Sequence, residues 1–347
     1  MIKSLDRKLA AIHADPHGCK DFILADAKDA DMGFGLTAPG PERDACPHGF
    51  DQRQGCFKTL DDYLRQIRDV TAQGLVDIML LSASNLERLA MREGIFRDSA
   101  ITPAARANDT SDIWVVRGGK YIQLPSRPFR TAGLDHIKYG HLTDDHSAPV
   151  TGADLGLYSL TFTNNLDWDY RALADFQDFR IEAEKKRFRY FLEVFNPNVD
   201  AGIPAKQVGA FLNDHIIRSL AGVTSTGRPI FLKIPYNGPG ALEELAAYDP
   251  HLLVGVLGGA AGTTFDAFQL LHDAKKHGAR VALYGRKINL SEDPLSFIEC
   301  LRLIADQGLD PKEAVRLYHA KLKEKSIRAA RPLQSDLATT VAFNKYG

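Results

Sequence analysis

Lys233 is where chemistry is most readily imagined in this sequence. It lies near the end of an apolar, β-rich run, Pro229 to Ile234 (PIFLKI), and is followed by Pro235-Tyr236-Asn237-Gly238. On a strand whose alternate side chains face a shared interior, burial among apolar neighbours lowers a lysine's pKa, and the neutral amine can attack a carbonyl to form a Schiff base. The plainer expectation is an ammonium that reaches solvent or pairs with a carboxylate. Glu193, near the end of RYFLEVFNPN, has an apolar setting that would raise its pKa and suit it to acid–base work. Its plainer role is as partner to a lysine. Asn196 and Asn198 beyond it either contact substrate or shape a turn.

Two glycine-marked strand ends follow. Gly258-Gly259 comes after a run ending at Val256, and Gly285-Arg286 after one ending at Tyr284. Glycine lets backbone N–H groups approach an anion, and an adjacent helix start adds favourable partial charge, so the two turns together suggest a phosphate site with Arg286 as clamp. Either turn alone is more simply a plain strand end. Asp26 and Lys28 lie where a first strand should finish, in LADAKDAD. Asp26 is a candidate to orient a hydroxyl or move a proton, and Lys28 to pair with it or to depress the pKa of Lys233 by like-charge repulsion. Asp29 and Asp31 read equally well as a solvated acidic loop. Tyr236 and Tyr284 are further proton-donor candidates, ranked below Glu193 because such tyrosines are usually packed. Cys46-Pro47-His48 with Cys56 and Cys19 invites zinc, but the spacing does not match a paired-cysteine site, and no metal is expected. His13 and His17 read as surface or turn residues.

The elements that must carry these residues alternate strand and helix. Arg189–Val194, Pro229–Ile234, Leu252–Val256 and Arg280–Tyr284 read as strands, with helices over Pro204–Leu220, about Ala241–Ala247, and from Thr263, capped with Asp266, to Gly278. Ser291 is the expected cap of a helix with Pro294 in its first turn that stops at Gly308, and Asp310-Pro311 opens another. Upstream, Phe22–Ala25, Val76–Leu81, Ile113–Val116 and Leu155–Leu160 supply four more strands, with helices at about 59–73 and 170–187. Eight strands in this rhythm predict a single (β/α)8 TIM barrel over residues 1–347. An irregular insertion over 117–153, with a hairpin at Gly118-Gly119 and a lid loop, and a C-terminal arm over 327–347 complete it.

The segments LKIPYNG, VLGGAAG and LYGRKIN together resemble the class I aldolases related to deoxyribose-phosphate aldolase and the bacterial and archaeal class I fructose-bisphosphate aldolases. The resemblance covers roughly the last 120 residues. It implies that Lys233 is the Schiff-base nucleophile and that Gly258, Gly259, Gly285 and Arg286 hold a substrate phosphate. The first half departs from the family, which often carries Asp-His-Gly after the first strand, where this chain has Leu24-Ala25-Asp26-Ala27-Lys28-Asp29-Ala30-Asp31. The implied reaction is cofactor-independent making or breaking of a carbon–carbon bond beside the carbonyl of a phosphorylated sugar. Acyl transfer or retro-Claisen cleavage by the same lysine, metal-dependent chemistry at Asp26, Asp29 or the Cys46–Cys56 loop, and a non-catalytic phosphosugar-binding barrel are the alternatives.

A net charge of −1 with both signs interspersed marks no nucleic-acid or membrane surface, so any anion must be held locally. Four cysteines without a regular framework suggest reduced thiols, and the absence of a long apolar run or signal-like start suggests a cytoplasmic protein. A homo-oligomer is the expected assembly.

Overall fold

The computed structural model describes residues 2–42, 57–259 and 262–340. Eight strands form a closed barrel: β1 (Ile23–Lys28), β2 (Ile78–Leu81), β3 (Thr102–Arg106), β4 (Leu155–Thr161), β5 (Arg189–Phe195), β6 (Leu232–Ile234), β7 (Val254–Leu257) and β8 (Val281–Tyr284). Each strand pairs in parallel with its neighbours in sequence, and the ring closes where Ile23 of β1 meets Val281 of β8. Parallel strands buried on both faces need apolar side chains on both, and that is why most of these runs show little polar alternation.

Alternate residues divide cleanly. Ile23, Ala25, Leu80, Leu157, Phe191, Phe231 and Leu283 fill the barrel interior, whereas Leu24, Met79, Tyr158, Leu192, Leu232 and Tyr284 face the surrounding helices. Leu5 and Ile12 of the helix Ser4–Ala14 join the interior set, each 0% exposed, so this helix closes the amino-terminal end of the barrel. Lys8 fixes it there by bonding Phe22 O at 2.8 Å and the Asp77 carboxylate at 2.9 Å.

The third strand is not Ile113–Val116. Those residues have high β-propensity, but Trp114 instead stacks on Tyr121 with ring centroids 4.6 Å apart, and Val115 and Val116 lie on the surface. The true strand, TPAAR, looked unlike one because it contains a proline and two alanines, and its small side chains suit a crowded wall. The excursion between β3 and β4 therefore spans 107–154. The expected hairpin at Gly118-Gly119 is a simple turn, Gly119 N to Val116 O at 2.9 Å, and the antiparallel ribbon pairs Asp109–Thr110 with Pro128–Phe129.

Helix ends follow their caps. Thr263 and Asp266 form the expected capping box on Thr264–Lys276. Asp293, not Ser291, occupies the cap position of Pro294–Gln307, because the proline sets the first turn immediately after it; Gly308 ends the helix in the left-handed conformation. Of the C-terminal segment, the described residues up to Thr340 bond to their own barrel. Asp336 accepts from Thr264 N at 2.9 Å, and Thr340 Oγ1 donates to Asp266 at 2.7 Å.

Candidate active site

A cavity of about 200 Å³ opens at the carboxyl ends of the strands, and Lys233, Glu193, Gly258, Gly259, Gly285 and Arg286 all line it. The register makes this possible: Lys233 shares its face of β6 with Phe231, Glu193 shares its face of β5 with Phe191, and the two residues are direct neighbours across the pair. Lys233 Nζ lies 2.5 Å from Glu193 Oε1, with side chains 8% and 1% exposed. Beneath them Phe191 and Phe231 stack at 4.6 Å.

The second carboxylate oxygen of Glu193 is held from the other side. Ser159 Oγ donates to it at 2.7 Å and Arg106 Nη2 approaches at 3.5 Å. Arg106 also donates through Nη1 to Ser159 Oγ at 3.1 Å and through Nε to Asp29 Oδ2 at 2.5 Å. Asn108 braces the serine, accepting from Ser159 N at 2.6 Å and donating to Ser159 O at 2.9 Å. One chain of polar contacts thus crosses the pocket floor from the end of β1, through β3, β4 and β5, to β6. Burial opposes the charge on Arg106, but Asp29, Glu193 and Asp109 outweigh it and raise its pKa, so it remains a cation. Asp109 is pushed up to about 6, mainly by burial.

Other residues singled out from sequence sit elsewhere. Asp26 and Lys28 point away from the pocket, to the outer face of β1, because Ala25 and Ala27 occupy the inward positions; Asp29 is the acidic residue whose phase brings it to the cavity. Asp29 and Asp31 are not a solvated loop: Asp29 is 7% exposed, and Asp31 accepts from Ser82 Oγ at 2.6 Å. Tyr284 also faces outward and donates to Ala267 O at 2.8 Å, while Tyr236 packs in the outer layer. Asn196 pairs with Asn237 at 2.8 Å, and Asn198 donates to Leu124 O at 2.7 Å, fastening the excursion to the end of β5. His13 stacks with His251 at 5.7 Å, and Cys300 is buried. Cys46, His48 and Cys56 lie outside the described residues. Among those described, no group of His, Cys, Asp and Glu is arranged to hold a metal ion.

Packing demands the glycine turns. A Cβ at Gly258 would lie 2.1 Å from the Tyr284 ring, one at Gly285 would lie 2.8 Å from Ala27 O, and Gly259 has φ of 60°. Arg286 extends from the second turn along the cavity wall, its guanidinium carbon 5.4 Å from the Phe34 ring centroid. Arg106, Ser159 and Asn108 escaped the sequence reading. Arg106 carries a signal, a lone basic residue in an alanine-rich stretch two residues before Asn108-Asp109, but it is legible only with the third strand placed at Thr102–Arg106.

Fold and pocket together define a (β/α)8 barrel with a lysine–glutamate pair at the carboxyl ends of β5 and β6. No family model and no curated protein matches the sequence. Solved structures do. A Schiff-base-forming fructose-1,6-bisphosphate aldolase superposes with a TM-score of 0.58 at 13% identity, over 86% of this chain and 99% of that one. An archaeal fructose-1,6-bisphosphate aldolase, with its catalytic lysine bound covalently to a carbinolamine intermediate, gives 0.59 at 13% identity over 86% and 99%. A protein from Corynebacterium glutamicum gives 0.56 at 13% identity over 89% and 99%. The structural neighbours of this chain thus include class I, Schiff-base aldolases, and the likeness establishes the shared barrel. None of the described helices is long and apolar enough to cross a membrane.

Proposed function

We propose that this protein is a class I aldolase-type lyase that makes or breaks a carbon–carbon bond of a phosphorylated sugar through an imine on Lys233. The observation that carries this reading is the 2.5 Å approach of Glu193 Oε1 to Lys233 Nζ at the floor of a cavity rimmed by Gly258, Gly259, Gly285 and Arg286. An amine is nucleophilic only after losing its ammonium proton, and Glu193 is placed to accept it. Attack on the substrate carbonyl then gives a carbinolamine. Returning the proton to the departing hydroxyl releases water and leaves an iminium, which accepts the electron pair when the adjacent bond breaks. Asp29, on the opposite side of the floor, takes the proton from the hydroxyl that becomes the leaving aldehyde. Arg106 keeps both carboxylates in place, and the two turns with Arg286 anchor the phosphate.

One observation favours a second reading. A carboxylate this close to a lysine also stabilises the ammonium, and a permanently protonated Lys233 would make the barrel a phosphosugar-binding protein without turnover. Incubation with phosphorylated ketoses and aldoses plus borohydride, followed by intact mass and peptide mapping, separates the two. The aldolase reading expects one reduced adduct, on Lys233, and its absence in Lys233→Met together with a loss of turnover on the order of a thousandfold or more. Substrate binding without an adduct on any lysine would establish the second reading instead.

A further inference from the structure

Asp26 and Lys28 are both 0% exposed, 3.0 Å apart, and outside the pocket. Taking two charges out of water costs more than their attraction commonly returns, so an ion pair here calls for a reason other than stability. Its surroundings supply one. Lys28 Nζ donates to the side-chain oxygen of Asn289, the last residue of the single helical turn Arg286–Asn289 that follows β8. Asn289 N in turn donates to Gly285 O at 3.0 Å, and its Nδ2 lies 3.4 Å from Tyr63 OH of the helix Leu60–Gln73. On the other face of the same strand, the α-carbon of Gly285 rests so close to β1 that a Cβ would come within 2.8 Å of Ala27 O. The β8 turn is therefore gripped by β1 twice, once through its backbone and once through Lys28.

We infer that the Asp26–Lys28 pair is a positioning device for the β8 turn: Lys28 holds Asn289, and through it sets Gly285 and Arg286 where a phosphate group is received. A charged donor makes a short, directional bond that an apolar side chain of equal volume cannot, and Asp26 keeps that donor charged where burial alone would remove its proton. Burial lowers the pKa of Lys28 and lifts that of Asp26, and the charge of each partly offsets the shift of the other. The phosphate's place in the substrate rests on the aldolase reading; the grip on the turn does not.

The test uses Lys28→Met, which cuts the link at its source, and Asn289→Ala, which leaves the ion pair whole and carries the test alone if the first variant does not fold. Inorganic phosphate is titrated calorimetrically into each protein, and borohydride trapping is followed against dihydroxyacetone phosphate and against dihydroxyacetone. Both variants should weaken phosphate binding and raise the half-saturating concentration of the phosphorylated ketone about tenfold, leaving that of the unphosphorylated ketone unchanged. Equal losses with the two ketones, or no loss with either, would overturn the device. Failure of the wild-type protein to form an adduct with either ketone would count against the aldolase reading alone, since the phosphate titration still reads the turn.

Discussion

Arg106 shows how much one side chain can organise. Its guanidinium spans Asp29 and Glu193, so replacing it with Met leaves the buried Asp29 carboxylate without that cation, while Glu193 keeps Lys233 and Ser159. Such unpairing should cost about 3–5 kcal/mol, read as a lower urea midpoint at neutral pH. Asp26 makes a contrasting prediction. Burial raises its pKa from 3.8 to about 6, so the folded chain binds this proton more tightly than the unfolded chain does. The stabilising contribution of that proton is complete below the unfolded value and is lost as pH rises through about 6. Thermal midpoints of the wild-type protein relative to Asp26→Asn should therefore fall between pH 4 and 6.5; a difference independent of pH would contradict the raised pKa. At this scale the sequence revealed the lysine, the glutamate and the glycine turns, because each sits at the end of an apolar run. It concealed the polar floor, because one residue of phase decides whether Asp26 or Asp29 faces inward, and alanines on both sides of Asp26 give no hint of which face is the core.

At the scale of elements, strands buried on both faces announced themselves by continuous hydrophobicity, and helices by caps such as Thr263 with Asp266. β3 did not, since its side chains are small, whereas Ile113–Val116 is β-rich for a different reason, the aromatic packing of the excursion whose Asp112, Ile113 and Val115 line the cavity. The turn after β7 shows the converse, a position where an element tolerates only one residue. Gly258→Ala would force a methyl group into the Tyr284 ring, which is itself 0% exposed and bonded to Ala267. A loss of about 1–3 kcal/mol in stability is expected, together with weaker binding of phosphorylated substrates, whereas unchanged affinity would show that the turn has no part in holding them.

Across the whole molecule, the interior core is closed below by the helix Ser4–Ala14 and open above to the cavity. Ile12→Ala should lower the unfolding free energy by about 2–5 kcal/mol without altering where Lys233 is modified, as the helix contributes apolar filling and no chemistry. A shift of the adduct to another lysine would mean that it also shapes the pocket. The closed ring has a further consequence during synthesis. β1 leaves the ribosome before the other seven strands, yet one of its two edges is completed only by β8, more than two hundred residues later. Until Val281–Tyr284 has emerged, the nascent chain carries an unpaired strand edge and a stopper with no vessel to seal. Chains halted before that point are the ones this architecture would surrender to aggregation or to chaperones.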